Sequence, residues 1–114
     1  MSYNVITIHR FEREFKRLVK KFASLKGEFE KLIDALEENP ETGTPLGNNL
    51  YKVRLAITSK GRGKSGGARV ITYLKTKQSN VYLLSIYDKG EKSTITDREI
   101  RKILESEIEQ FLKI

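Results

Sequence analysis

The residues of this sequence that could do chemistry are mostly cations. Between Ser59 and Arg69, Lys60, Arg62, Lys64 and Arg69 are interleaved with four glycines. Such a loop can wrap a phosphate backbone, offering charge and exposed backbone N–H groups together. The same make-up also describes a solvated hairpin loop whose lysines only keep the chain in solution. Arg54 and Arg69 each stand within an otherwise apolar run. There a guanidinium must reach solvent, a carboxylate or a ligand, because an unpaired buried charge is costly. On adjacent antiparallel strands the two would repel unless an anion lay between them, and a phosphate satisfies both with bidentate bonds. Acidic partners, Asp88 or Glu91, are the alternative. Lys89 and Lys92 follow the last apolar run and could reach the same surface, or be ordinary turn lysines.

Other chemistries lack their residues. There is no cysteine and one histidine, His9. Thiolate metal sites and two-histidine ribonuclease chemistry within one chain are therefore out, and no metal or cofactor is expected. His9 reads as a helix-start or surface residue. Gly61 to Gly66 spells G-x-G-x-x-G, but a strand pattern follows where a dinucleotide fingerprint needs a helix. Gly63-Lys64-Ser65 resembles the end of a P-loop, yet the earlier glycine it requires is Thr58.

The elements that would hold these cations can be read from periodicity. Tyr3 to Ile8 alternates as a short strand. Phe11, Phe15, Leu18, Phe22, Leu25, Phe29, Leu32 and Leu36 recur at three- and four-residue spacing, the stripe of a helical face. Ser24 and Gly27 interrupt it, so two antiparallel helices are predicted, 10–22 and 25–38, with Ser24 as N-cap of the second and the phenylalanines as their shared seam. Asn39-Pro40 ends the pair, and 41–49, with Gly43, Pro45 and Gly47, reads as a loop. Strands are predicted over 50–57, 68–76 and 80–87, with Lys77-Gln78-Ser79 as the turn between the last two. The first sets Lys52 and Arg54 on the face opposite Tyr51, Val53, Leu55 and Ile57. Val81 to Ile86 is apolar on both faces, which suits a central strand. Thr96-x-x-Glu99 is a capping box with Ile95 and Ile100 placed as a hydrophobic staple, opening a helix over 97–112. The order β-α-α-β-β-β-α is α+β: an N-terminal strand, a helical hairpin, a three-stranded antiparallel continuation of the sheet and a C-terminal helix.

The 114 residues suit a single domain spanning 1–114, and 38% hydrophobic with 32% charged residues suits a soluble globule. No apolar run approaches a membrane span and the N-terminus lacks a signal-peptide core, so a cytoplasmic protein without membrane partners is expected. A net charge of +7 favours a polyanionic partner without choosing among RNA, DNA, membrane and acidic protein.

Three stretches carry a resemblance: Leu50-Tyr51-Lys52-Val53-Arg54-Leu55, Gly63-Lys64-Ser65-Gly66-Gly67-Ala68-Arg69-Val70-Ile71, and Val81-Tyr82-Leu83-Leu84-Ser85-Ile86-Tyr87-Asp88-Lys89. With the element order they are similar to the RelE/ParE superfamily of toxins, closest to its RelE-like and HigB-like branches. That resemblance implies a type II toxin–antitoxin toxin: a ribosome-dependent messenger-RNA endonuclease that works without metal and is silenced by an antitoxin. It implies catalytic roles for Arg54, Lys64, Arg69 and Lys89, and RNA contacts from Lys52, Lys60, Arg62 and Lys92. Arg54 and Arg69 would stabilise the phosphorane-like transition state. Lys64, its pKa lowered from about 10.4 by neighbouring cations, would take the 2′-hydroxyl proton, and Lys89 would serve the leaving oxygen. The catalytic tyrosine that some RelE-like toxins carry near the start of the last segment has no counterpart at Ile95 or Thr96, leaving Tyr73 and Tyr87. The expected partners are the ribosome with its messenger RNA and an acidic, partly disordered antitoxin segment. A ParE-like gyrase inhibitor and a non-catalytic basic binding module remain the alternatives.

Overall fold

The computed structural model describes residues 2–60 and 67–109. Strand β1 (Asn4–Thr7) leads into the helical hairpin α1 (His9–Lys21) and α2 (Leu25–Glu38). Strands β2 (Thr44–Gly47), β3 (Leu50–Leu55), β4 (Ala68–Lys75) and β5 (Asn80–Asp88) follow, then helix α3 (Asp97–Ile103) and a π-helical segment, Leu104–Glu109. The sheet order is β1-β5-β4-β3-β2, with β1 parallel to β5 and the other neighbours antiparallel. The fold is thus α+β with a mixed sheet.

The hairpin forms as its stripe dictates. Phe11, Leu18, Leu25, Leu32 and Leu36 are buried, and the rings of Phe15 and Phe29 lie 4.4 Å apart across the seam. Helix α1 packs along β5, and α2 along β1 and β3. Helix α3 meets the sheet through Leu50, which shares a groove with Ile100 and Leu104, and the π-helical segment through Tyr82, which shares one with Ile108. The capping box is present: Glu99 N–H donates to Thr96 Oγ1 at 3.1 Å, and Thr96 N–H to Glu99 Oε1 at 3.3 Å. Ile95 and Ile100, the expected staple, are both buried.

Three expectations need correction, and a fourth, the turn between β4 and β5, is borne out and only sharpened. Thr44–Gly47, read as loop because of its Gly and Pro, pairs with β3 as an edge strand, a position where Pro45 costs no ladder bond to a further neighbour. The turn after β4 is a short 3₁₀ segment, Thr76–Gln78, closed by Ser79 in the left-handed region at φ 54°. Ser24 stands at the N-cap of α2 but makes no side-chain cap bond, because its backbone is already helical at φ −77° and ψ −14°. The last helix widens after Ile103. In an α-helix a five-residue step would turn Ile108 about 140° away from Ile103. The wider π turn returns it to the same side, and both are buried. Residues 110–112 of the predicted helix lie outside the described residues.

Candidate phosphate site on the arginine face of the sheet

Pairing register assembles the site. Arg54 on β3 lies directly opposite Arg69 on β4, and Arg69 directly opposite Tyr87 on β5. The row therefore draws one residue from each of three adjacent strands. Its placement on one face depends on a β-bulge. Thr72 pairs with Leu83 but Ile71 pairs with Ser85, so Leu84 is the extra residue on β5. Without it, strict alternation from Tyr82 would put Tyr87 on the hairpin side. With it, Tyr87 shares the face of Tyr73, Ile71 and Arg69, while the Ser85 hydroxyl donates to Glu14 Oε1 of α1 at 2.8 Å. Helix α3 covers this face at Leu50, four residues from Arg54, so about 13 Å of strand separates the two ends.

The row is graded in exposure. Arg54 is exposed, Lys52 beside it half-buried, and Arg69 only 4% exposed, with its Nη1 donating to Ala68 O at 3.2 Å. Tyr87 is 5% exposed, and its hydroxyl is buried without a hydrogen-bond partner among the described residues. The structure thus confirms the predicted Arg54–Arg69 juxtaposition. Sequence reading could name Tyr87 only as a loose candidate: a strand apolar on both faces carries no alternation to reveal where its period breaks.

The other cations divide. Lys89 is exposed, and its backbone N–H donates to Gly67 O at 3.1 Å, so the exit of β5 is tied to the entry of β4 beside the row. Lys92 instead ion-pairs with Glu99 at 2.6 Å, which holds the Glu99 carboxyl below the ordinary carboxylate value. Glu91 is not the arginines' counter-ion. Arg17 and Lys21 of α1 hold it at 3.2 and 3.6 Å, and the Arg17 hydrogen bond pulls its pKa down. Lys60 closes the 3₁₀ turn Thr58–Lys60, while Arg62 and Lys64 lie outside the described residues. His9 is exposed at the first position of α1.

Both stems of the basic loop are anchored. Thr58 N–H donates to Glu28 Oε1 at 2.7 Å, and the Thr58 hydroxyl donates to the same oxygen. Ser59 N–H donates to Ser24 Oγ at 3.0 Å. At the far stem Gly67 leaves no room for a side chain, since a Cβ there would lie 2.2 Å from Leu55 O. Neither anchor was foreseen, because Ser24 and Glu28 stand some thirty residues from the loop in sequence and read as ordinary first-turn helix residues.

Comparison with known proteins agrees with this architecture. The family model described as "RelE toxin of RelE / RelB toxin-antitoxin system" matches residues 9–111. Among solved structures, an arginine-to-alanine mutant of the E. coli toxin RelE in the free state superposes with a TM-score of 0.61 at 17% identity, covering 82% of this chain and 90% of that one. The intact E. coli RelBE toxin–antitoxin complex gives 0.60 at 19% identity, with 76% and 96% covered. A RelBE-type toxin–antitoxin complex from Mycobacterium tuberculosis gives 0.58 at 18%, with 77% and 92% covered. At these identities the likeness concerns the fold.

Proposed function

Because the chain belongs to the RelE toxin family of toxin–antitoxin systems, we propose that the Arg54–Arg69 row is the phosphate site of a metal-independent endoribonuclease that cuts messenger RNA on the ribosome. The observation that carries this reading is the direct opposition of two arginines on neighbouring strands, one exposed and one buried, at the end of a sheet face away from the Leu50 contact with α3. Two guanidiniums in register are poised for an anion with oxygens on both sides, as in a phosphodiester. In the reaction the 2′-oxygen attacks phosphorus and the bond to the 5′-oxygen breaks, leaving a 2′,3′-cyclic phosphate and a 5′-hydroxyl. The 2′-hydroxyl proton passes to the Lys64 amine, and Lys89 supplies a proton to the departing oxygen. Arg54 and Arg69 stabilise the charge gathered on the phosphorane. Lys52, Lys60 and Arg62 track the strand. Lys92, engaged with Glu99, is less available for that task.

On this reading residues 1–114 act as one toxin domain in the cytoplasm. Its partners are the ribosome with messenger RNA and an antitoxin whose acidic segment folds onto the basic face. Support for the antitoxin comes from the family itself and from relatives seen in complex with theirs. The test is induction of the chain in bacterial cells with mapping of messenger-RNA 5′ ends. Wild type should produce cuts within translated codons. Arg54→Ala, which alters an exposed side chain, and Arg69→Lys, which keeps the buried charge but loses the bidentate fork, should each reduce cutting by on the order of 10²-fold or more. Growth arrest with intact messages would instead indicate a gyrase-type target, and neither arrest nor cuts a non-catalytic binding module.

A further inference from the structure

We propose that Ser24 and Glu28, in the turn and first helical turn of the hairpin, are positioning residues for the basic segment that leaves the sheet after Ile57. The proposal rests on the ribonuclease reading and deepens it. Ser24 stands where a serine ordinarily caps its own helix. That bond is not made. Its oxygen accepts from Ser59 N–H, and its hydroxyl lies 3.0 Å from Ser59 Oγ. Glu28, one turn along the helix, reaches the same stretch and gathers both donors of Thr58 on one oxygen. Ser24, with helical backbone angles and its hydroxyl 3.4 Å from Glu28 Oε2, joins Glu28 in one polar cluster, and two successive residues of the loop stem are pinned to it. A solvated solubility loop has no use for such an arrangement. Local rules are characteristically broken where function requires it.

The geometry gives the clamp leverage. Ile57, fully buried, fixes the end of the run from β3, and Thr58 and Ser59 set the direction in which the chain departs toward its cations. The opposite stem is fixed by the close approach of Gly67 to Leu55 O and by the Lys89 N–H bond to Gly67 O. Both described ends of the basic segment, Thr58–Ser59 and Gly67, are thus tied to the body of the fold. Without the clamp only the Gly67 stem is held.

Charge and positioning predict opposite signs, which makes the clamp testable. Glu28 is an acid near a cationic segment, so electrostatics alone says that removing it tightens RNA binding. Positioning says that removing it weakens binding and cutting. The experiment compares wild type, Glu28→Ala, Glu28→Gln and Ser24→Ala in three measurements: affinity for a 2′-O-methyl RNA oligonucleotide that cannot be cut, cleavage of messenger RNA on ribosomes, and melting temperature. Glu28→Ala and Ser24→Ala should each lose between about ten- and a hundred-fold in cleavage, with weaker oligonucleotide binding and a near-native melting temperature. Glu28→Gln retains the acceptor oxygen for Thr58 N–H without the charge and should restore most of both activities. Tighter or unchanged binding with full cleavage in Glu28→Ala would overturn the proposal, as would losses that follow the melting temperature and are not rescued by glutamine. A wild-type chain that neither binds the oligonucleotide nor cuts would remove the ribonuclease reading itself, and the clamp's role with it.

Discussion

A buried phenol without a partner next to two arginines has two physical readings with different consequences. If Tyr87 only packs, its hydroxyl is an unsatisfied group, and Tyr87→Phe relieves a desolvation cost of about 1–3 kcal/mol at no functional loss. If its O–H donates to a phosphate held by Arg69 and Arg54, the same change removes a hydrogen bond to a charged group, worth about 1.5–3 kcal/mol, or roughly ten-fold or more in rate. We expect the second outcome: Tyr87→Phe melts no lower than wild type yet cuts more slowly in a single-turnover assay. Unchanged cutting would leave Tyr87 in the core alone. The contrast with Thr72 is useful, because its hydroxyl is also buried and unpartnered, but it pairs with Leu83 on the opposite face from the arginine row. Thr72→Val should therefore leave cutting intact.

Among the elements, the helices test the reading of their local chemistry most directly. Gly27 lies exposed in the first turn of α2, and a Cβ there meets nothing within 4 Å. Gly27→Ala should stabilise the chain by about 0.5–1 kcal/mol, visible as a raised melting temperature. At the start of α3, Glu99 is held below its ordinary 4.5 by the Lys92 hydrogen bond, with Thr96 N–H adding to the effect. A carboxyl whose folded pKa is depressed contributes stability above its unfolded value, and that contribution is lost as pH falls through the folded one. The melting temperature should therefore drop as pH falls below about 4.5, and Glu99→Gln should lessen the dependence; an unaltered profile would mean the cap is too solvent-screened to matter. The same elements show what the sequence could and could not say. Both hairpin helices and the capping box were legible, because three- and four-residue spacing and Thr-x-x-Glu act locally. Arg54 and Arg69 were legible as a pair because each interrupts an apolar run. Edge strand β2 was not, since a strand with one neighbour and all four residues exposed has no apolar period to display. The bulge at Leu84 and the clamp on Thr58 and Ser59 were hidden for a different reason. The bulge falls in a strand apolar on both faces, which shows no break in period, and the clamp joins residues 30 and 35 positions apart.

For the whole molecule, a net charge of +7 sets the character of binding more than its specificity. Affinity for single-stranded RNA should fall steeply with salt. Arg54→Ala should reduce the logarithmic slope by about 0.7, whereas Lys92→Ala, altering a lysine already paired with Glu99, should hardly change it. Equal changes in both would show that general charge, not the arginine row, governs binding. Topology adds a constraint in time. The first strand made, β1, pairs only with the last, so Asn4 waits for Asn80 and Thr7 for Leu83. Closing so long a stretch of chain is slow compared with forming the hairpin. Tyr87 likewise arrives after Arg54 and Arg69 have been made. A chain emerging from the ribosome therefore completes its own arginine–tyrosine row only after Tyr87 has been joined, 33 residues after Arg54. On the function proposed above, folding order would withhold cutting until Tyr87 has joined the row, an interval in which an antitoxin already present could meet the chain.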